Sequence, residues 1–229
     1  DCFLDLFPAG VLVHEMILRT VHMSGTLVTC RDPQPAGAYA VAVRHRVNVL
    51  VAPAHTYHDL CDWLAESGSS FADMRVLEAR GRVPLNLSRR AREELGRELL
   101  PTRAWVETLA PALGAVPTGF GAPAAPLQPY PGFRERIVSS SGRELPEKEV
   151  GELCIASDVM AEKTMDREGE QHLVCDADGW FHTGTLARRR SSGELVLLGS
   201  RFDVLLRDQV RVYLRDVADA LETAEGVRE

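Results

Sequence analysis

The sequence predicts an α/β protein in which a lobe with a largely parallel sheet precedes a small antiparallel β lobe. Up to about residue 110, β-rich apolar runs alternate with stretches of helical periodicity, as in a parallel sheet covered by helices. Residues 111–132 are rich in proline and glycine, which indicates a boundary loop. Beyond that loop, turn signals such as Ser141-Gly142 and Ser192-Gly193 separate short runs, which favours antiparallel strands.

Helices and strands alternate through the first lobe. The predicted helices, each with apolar residues three and four apart, are residues 11–23, 36–46, 56–67 and 87–100. The predicted strands are residues 26–30, 47–52, 74–78 and 102–109. Gly25 ends the first helix and Pro53 ends the strand at 47–52. Because that strand is almost continuously apolar, we expect both of its faces to be buried.

The second lobe is predicted from shorter elements. Its strands are residues 133–139, 152–156, 171–175 and 194–198, followed by a hairpin of residues 203–206 and 210–213. An amphipathic helix at 214–224 has Val217, Ala220 and Leu221 on one face. These elements predict three parts: an α/β lobe at 1–128, a small β lobe at 129–202, and a final hairpin and helix at 203–229.

Composition excludes several classes of function. The 229 residues include 26 basic and 33 acidic side chains, a formal net charge of −7. This acidic balance argues against binding to nucleic acid or to an anionic membrane surface, since both require a basic footprint. No apolar run approaches the roughly 20 residues that span a bilayer, so we expect no membrane segment.

The cysteines and the start of the chain bear on its cellular context. The five cysteines are odd in number, widely scattered and without a C-x-x-C pair, which favours reduced thiols in the cytoplasm over a disulfide or zinc framework. The chain starts at Asp1 without a signal segment, so we expect it to be excised from a longer polypeptide. Its only lysines are Lys148 and Lys163.

Two histidine groups have a chemical and a structural interpretation. His55 and His58 could present two imidazoles on one helical face to a metal, or they could be polar residues at a helix start, where Asp59 favours the helix dipole. The structural interpretation is preferred. His14 and Glu15 are sequence neighbours, which do not face each other on a helix, so we do not expect an acid–base pair there.

Three ordered segments carry a family resemblance. They are GELCIASDVM from Gly151, DADGWFHTGTL from Asp176, and GELVLLGSRFDVLLRDQVRVYLRDVADALE from Gly193. This succession resembles the adenylate-forming superfamily of acyl-CoA ligases and nonribosomal-peptide adenylation domains. The resemblance implies part of that family's N-terminal domain, followed by the first hairpin and helix of its C-terminal lobe. It also implies ATP or AMP and Mg²⁺ as cofactors, if nucleotide binding is retained.

The chain departs from the family at the nucleotide motifs. The family's T-G-D turn holds both ribose hydroxyls with its aspartate, whereas this chain has Thr183, Gly184 and Thr185. Replacing a charged acceptor with a hydroxyl typically costs ~1.5–3 kcal/mol. The G-R-x-D motif becomes Gly199-Ser200-Arg201-Phe202-Asp203, in which Asp203 can still be the pivot residue between lobes and Arg201 is one place late.

Other motifs are altered or absent. The family's aromatic-Gly-x-Thr-Glu turn corresponds to residues 104–109, where Glu107 and Thr108 stand in reversed order, so magnesium ligation by Glu107 is implied only if nucleotide binding persists. No Ser/Thr/Gly-rich phosphate loop ending in lysine occurs in residues 1–229, and no lysine follows Lys163. The family's loop would precede Asp1.

Two hypotheses follow. The first is a degenerate adenylation-like domain with no catalytic residues, metal or cofactor, acting as a scaffold or docking module in a polyketide or nonribosomal-peptide pathway. The second is a truncated part of an active AMP-forming ligase, in which Thr183, Thr185, Asp203 and Glu107 border the nucleotide. The first is preferred because truncation does not explain substitutions inside the retained segment.

The first hypothesis predicts specific partners. Arg188, Arg189, Arg190 and Arg201 would form a docking patch for an acyl or peptidyl carrier protein or an adjacent assembly-line domain, although a solvated face is the usual meaning of such a run. We also expect the missing half of the fold to expose apolar sheet surface, including residues 47–52. A homodimer would cover that surface.

Overall fold

Residues 1–6, 11–115, 126–208 and 210–221 are described by the computed structural model. The chain divides into two units, residues 1–110 with 114–125 and residues 111–113 with 126–229. The three-part division of the sequence at residues 128 and 202 stays a prediction.

A parallel sheet forms the centre of the first unit, as the sequence predicts. Its strands are β1 (Cys2–Asp5), β2 (Thr26–Thr29), β3 (Val49–Pro53), β4 (Val76–Arg80) and β5 (Leu99–Ala104), in the order β2-β1-β3-β4-β5. The connecting helices are α1 (Val11–His22), α2 (Pro35–Arg44), α3 (Ala54–Ser67) and α4 (Leu85–Glu94). The strand β1 lies in a segment for which the sequence predicted no element.

Both faces of β3 are buried within this unit. Val49 and Val51 pack in a cluster with Phe3 and with Met16 of α1. Leu50 and Ala52 point to the other face and join the larger cluster, which includes Tyr57, Leu60 and Leu64 of α3. The expectation that residues 47–52 would be left exposed is therefore wrong, because α1 and α3 already cover the strand.

The exposed apolar surface lies instead on the outer side of α1. Ile17, Leu18 and Val21 are 45%, 71% and 72% exposed. Met16 and Thr20 of the same helix are buried. The helix therefore has apolar side chains on two faces, and only the inner one is covered within this unit.

The predicted helix at 87–100 and strand at 102–109 are both misplaced. The helix α4 ends at Glu94, and the left-handed Gly96 (φ 64°) turns the chain into β5, which begins at Leu99. Leu95 and Leu99 are both buried, so their spacing resembled one helical face although they lie in different elements. The strand ends at Ala104, and Val106–Thr108 form a short 3-10 turn.

The boundary region contains two short strands that the sequence did not predict. They are β6 (Pro111–Gly114) and β7 (Gln128–Pro129), and the Tyr130 N–H donates to the Ala112 carbonyl at 2.9 Å. Residues 116–125 of the predicted loop lie outside the described residues. Proline and glycine content alone therefore does not separate a loop from short strands.

Antiparallel strands build the second unit, which confirms the predicted change of architecture. The main sheet has the order β13-β12-β9-β8, with β8 (Arg134–Val138), β9 (Gly151–Ala156), β12 (Phe181–Arg189) and β13 (Leu195–Ser200). Smaller ladders join β10 (Lys163–Met165) to β11 (Gln171–Leu173) and β14 (Val204–Arg207) to β15 (Val210–Tyr213), and the last helix is α5 (Leu214–Leu221). Residues 222–224 of the predicted helix lie outside the described residues. The sequence missed β10 and β12.

Candidate functional site

Three residues form a bulge in the middle of β12. On one side of it His182 pairs with Cys154 of β9, and on the other side Leu186 pairs with Glu152. Thr183, Gly184 and Thr185 thus oppose a single residue of β9, and we call residues 183–185 the Gly184 bulge. Such irregularities often place side chains next to functional sites.

Internal hydrogen bonds hold the Gly184 bulge in place. Gly184 adopts a left-handed conformation (φ 67°), and its N–H donates to Oε1 of Glu152 at 2.9 Å. The Thr183 hydroxyl donates to the Leu153 carbonyl at 2.8 Å and accepts the Thr185 N–H at 3.1 Å. Thr185 itself is only 4% exposed. Hydrogen bonds within the chain therefore give the bulge a defined shape.

The turn at residues 199–203 is attached to this bulge. The Arg201 N–H donates to the Gly184 carbonyl at 2.8 Å. Within the turn, the Asp203 carboxylate accepts the Ser200 N–H at 3.2 Å, and the Asp203 N–H donates to the Ser200 carbonyl at 2.9 Å. The structure thus brings Thr183, Thr185 and Asp203 into neighbouring positions of the second unit.

A charged cluster surrounds His182 beside the bulge. Its ring nitrogens Nδ1 and Nε2 lie 3.1 Å from Glu152 Oε2 and 3.2 Å from Asp176 Oδ2. Arg136 lies 3.6 Å from Asp176, and the Cys154 Sγ lies 3.5 Å from Nδ1. Glu152 follows the glycine of the G-E-L motif but was not predicted as a site residue. The sequence around it does not show that its two oxygens have different partners.

The pKa values in this cluster reflect burial and hydrogen bonding. Burial acts to raise the pKa of Asp176, but N–H donors from Trp180, His182 and Asp178 outweigh it, and the net pKa is below the usual value. Burial raises the pKa of Cys154 to about 11, and the Glu152 charge adds to that shift. At neutral pH, Asp176 is therefore an anion and Cys154 a thiol.

Glu107 lies in the short turn after β5 in the first unit. The Thr108 hydroxyl closes this turn, since it accepts the Trp105 N–H at 3.1 Å and donates to the Ala110 or Trp105 carbonyl, at 2.7 and 2.8 Å. Thr108 is buried, whereas Glu107 is half-buried. Position 107 thus belongs to a 3-10 turn, not to the strand that the sequence predicted.

Three of the four arginines of the predicted docking patch face acidic side chains. Arg189 bonds Glu135, Arg190 lies 2.6 Å from Glu194, and Arg188 lies 3.7 Å from Asp216. Arg201 is exposed, and its guanidinium lies over the ring of Phe202, 5.0 Å from the centroid. The four side chains thus differ in how far neighbouring acids already neutralise them.

A second charged cluster, unpredicted from the sequence, is buried in the first unit. Arg80 Nη2 lies 2.5 Å from Glu15 Oε2 and 3.3 Å from Glu78 Oε1, and Arg19 Nη1 lies 2.7 Å from Glu78 Oε2. The Thr102 hydroxyl donates to Glu78 at 3.2 Å. Burial raises the pKa of Glu15, and Arg80 opposes this. These contacts tie α1 to the end of β4.

Among the described residues, no further ligands join His55 and His58 in a possible metal site. Across residues 1–6, 11–115, 126–208 and 210–221, no cluster of three or more His, Cys, Asp or Glu side chains could hold a metal ion. His55 is exposed and His58 half-buried, both in the first turns of α3. In the same part of the chain, no helix has the length and apolarity needed to cross a membrane.

Comparison with curated proteins identifies ligases as relatives. The chain is 27% identical to the salicyl-AMP ligase / salicyl-S-ArCP synthetase of Mycobacterium tuberculosis over 234 residues, which cover 96% of this chain and 40% of that protein. It is 32% identical to the fatty acid–[acyl-carrier-protein] ligase ScoC of Streptomyces coeruleorubidus over 103 residues, 44% of this chain and 19% of that protein. No family model matches the chain.

The fold is that of adenylate-forming ligases. The structure superposes on the o-succinylbenzoate coenzyme A synthetase MenE of Bacillus subtilis in complex with AMP with a TM-score of 0.82 and 20% identity. The match covers all of this chain and 47% of MenE, so the chain spans less than half the length of the relatives it matches. The resemblance to the adenylate-forming superfamily is therefore confirmed, over part of those relatives.

Proposed function

We propose that this chain is an adenylation-like domain without ATP-dependent acyl activation of its own. The proposal rests on the acidic side chains around the Gly184 bulge, which already have hydrogen-bond partners within the chain. Position 185 is a nearly buried threonine, and the neighbouring carboxylate of Glu152 already accepts the Gly184 N–H and faces His182. The Asp203 carboxylate is bonded within its own turn. These oxygens do not supply the free two-oxygen acceptor that a ribose diol needs.

The role that we propose is docking of a carrier protein. Two relatives have names that refer to carrier proteins, ArCP for the salicyl-AMP ligase and acyl-carrier-protein for ScoC. On this chain, the side chains that best fit an acidic partner are the exposed Arg201 and the adjacent Phe202, which is 81% exposed. Arg188, Arg189 and Arg190 contribute less, because each has an acidic neighbour.

A binding titration tests this role. An acyl carrier protein carrying its phosphopantetheine arm is titrated into the labelled chain at low and at high salt. We expect saturable binding that weakens with salt and that falls severalfold in Arg201→Gln and Phe202→Ala. Arg190→Gln is the matched control, since Arg190 is paired with Glu194. No binding, or equal loss in all three variants, would reject the Arg201 surface.

One observation favours a second function. Because the chain spans only 40% to 47% of its relatives, it fits a part of an active AMP-forming ligase as well. In that case ATP and Mg²⁺ are the cofactors, and Thr183, Thr185 and Asp203 of the second unit border the nucleotide. Magnesium ligation by Glu107 of the first unit stays a prediction from the sequence. Release of pyrophosphate that depends on an added carboxylic acid would favour this second function over docking.

A homodimer is part of the proposal. The outer face of α1 supports it, since Ile17, Leu18 and Val21 are exposed. Among the described side chains of that face there is no aspartate, glutamate, lysine or arginine. Two copies of such a face can meet without repulsion between like charges.

A further inference from the structure

The carboxylate of Glu152 on β9 contacts two residues of β12. One oxygen, Oε1, accepts the N–H of Gly184 at 2.9 Å, and the other, Oε2, lies 3.1 Å from Nδ1 of His182. The Gly184 carbonyl in turn accepts the Arg201 N–H at 2.8 Å. A single side chain of β9 therefore holds the Gly184 bulge, and through it the turn at residues 199–203.

The ring of His182 lies between the carboxylate of Glu152 and a second carboxylate. Its two ring nitrogens face two carboxylates, Glu152 at Nδ1 and Asp176 at Nε2. A neutral imidazole has one N–H and can donate to only one of them, whereas the imidazolium donates to both. The His182 side chain is 42% exposed, so its ring can exchange protons with solvent.

Other groups around the ring modify this balance. The Cys154 thiol lies 3.5 Å from Nδ1 and is uncharged at neutral pH. The Arg136 guanidinium lies 3.6 Å from Asp176. It also lies over Trp180, 4.3 Å from the ring centroid, with Arg134 on the same indole at 5.4 Å. The groups around His182 are thus the carboxylates of Glu152 and Asp176, the Arg136 guanidinium next to Asp176, and the Cys154 thiol.

We propose that Glu152 is the positioning residue of the Gly184 bulge and that protonation of His182 controls it. When the ring is charged, both carboxylates are bonded and Glu152 is fixed in the orientation that accepts the Gly184 N–H. When the ring loses its proton, one of the two contacts loses its donor, and the bulge and the 199–203 turn gain freedom. This regulation holds whether the bulge serves a nucleotide or a partner protein.

Nuclear magnetic resonance of the ¹⁵N-labelled chain tests the proposal. In the wild type we expect the Gly184 amide signal to move with pH in step with the His182 ring proton signals. In His182→Gln this movement is lost. In Glu152→Gln, which can still accept the Gly184 N–H, the signal stays close to its wild-type position but no longer follows pH.

Hydrogen exchange separates positioning from general stability. In Glu152→Ala we expect the Gly184 amide to exchange roughly tenfold faster or more, as for the loss of a charge-assisted hydrogen bond, while amides of β8 keep their wild-type rates. Glu149→Ala, an exposed glutamate of the preceding loop, is the matched control and leaves Gly184 unchanged. A Gly184 signal that ignores pH in the wild type would overturn the proposal. If Glu152→Ala does not fold, His182→Gln and Glu152→Gln give the answer.

Discussion

Threonine at position 185 is the residue on which the functional proposal depends. The sequence alone identified it, because residues 183–185 follow the G-E-L motif at a spacing compatible with the T-G-D turn of the adenylate-forming superfamily. The structure adds that Thr185 is nearly buried and lies in a bulge with its own hydrogen bonds. The sequence could not give the role of Glu152, since its contacts with Gly184 and His182 span about 30 residues.

Two glycines of the second unit are required for different reasons, which predicts different responses to substitution. A Cβ at Gly151 would lie 2.3 Å from the Val138 carbonyl oxygen, whereas a Cβ at Gly184 would meet nothing within 4 Å. Gly184→Ala should cost about 1–2 kcal/mol from its left-handed backbone, and Gly184→Asn less, because asparagine tolerates that conformation. Gly151→Asn should be at least as damaging as Gly151→Ala. Denaturant unfolding measures the stability of all four variants. A Gly151→Asn variant that is more stable than Gly151→Ala would contradict the steric explanation.

The five thiols should react in two groups. Cys61 and Cys154 are buried, and burial raises the pKa of each to about 11, so at pH 8 only roughly one molecule in a thousand carries the thiolate there. Cys2, Cys30 and Cys175 are half-buried. A chromogenic disulfide reagent at pH 8 should therefore modify three thiols first. The slow phase should accelerate about tenfold for each unit of pH up to that pKa.

Denaturant provides the control for this experiment. In the unfolded chain all five thiols should react together, because the burial that raises the two pKa values is gone. Five equally fast thiols in the folded protein would show that Cys61 and Cys154 are accessible, contrary to their burial.

Periodicity predicted the existence of helices better than their ends. The helix at 11–23 and the hairpin at 203–213 agree closely with α1, β14 and β15. The helix at 87–100 does not, because Gly96 ends it and the apolar pattern continues into a strand. Spacing alone cannot separate one helical face from a helix followed by a buried strand.

The outer face of α1 predicts an effect on assembly. Leu18→Glu places a charge on an exposed apolar surface, so we expect light scattering to change from the mass of a dimer to that of a monomer, with the secondary structure retained. Val43→Glu, a similarly exposed aliphatic position on α2, is the control and should leave the mass unchanged.

Met16→Ala, on the buried face of α1, should instead lower the free energy of unfolding by about 2–5 kcal/mol.

Two results would contradict this assignment of the α1 faces. A wild-type chain that is monomeric at tens of micromolar would reject the homodimer. A Leu18→Glu variant that is destabilised as strongly as Met16→Ala would indicate that the outer face is covered within the folded monomer, contrary to the exposure of Leu18.

The chain combines a unit built on a parallel sheet with an antiparallel unit, and it covers less than half of its relatives. The sequence predicted this architecture because parallel and antiparallel strands have different apolar patterns. It did not predict that α1 would cover the sheet. The ion pairs of Glu15 and Arg19 with Arg80 and Glu78 also tie α1 to the sheet, and they join residues about 60 positions apart, which local periodicity does not show.

If residues 183–185 do not bind the sugar of an adenylate, as we propose, calorimetric titration will show it. ATP with Mg²⁺ and a hydrolysis-resistant acyl-adenylate mimic are each titrated into the wild-type chain and into Thr185→Val. The proposal predicts no saturable heat up to millimolar ligand in either protein. Saturable binding with a Kd near 1 µM, about −8 kcal/mol, that is weakened by Thr185→Val would contradict it.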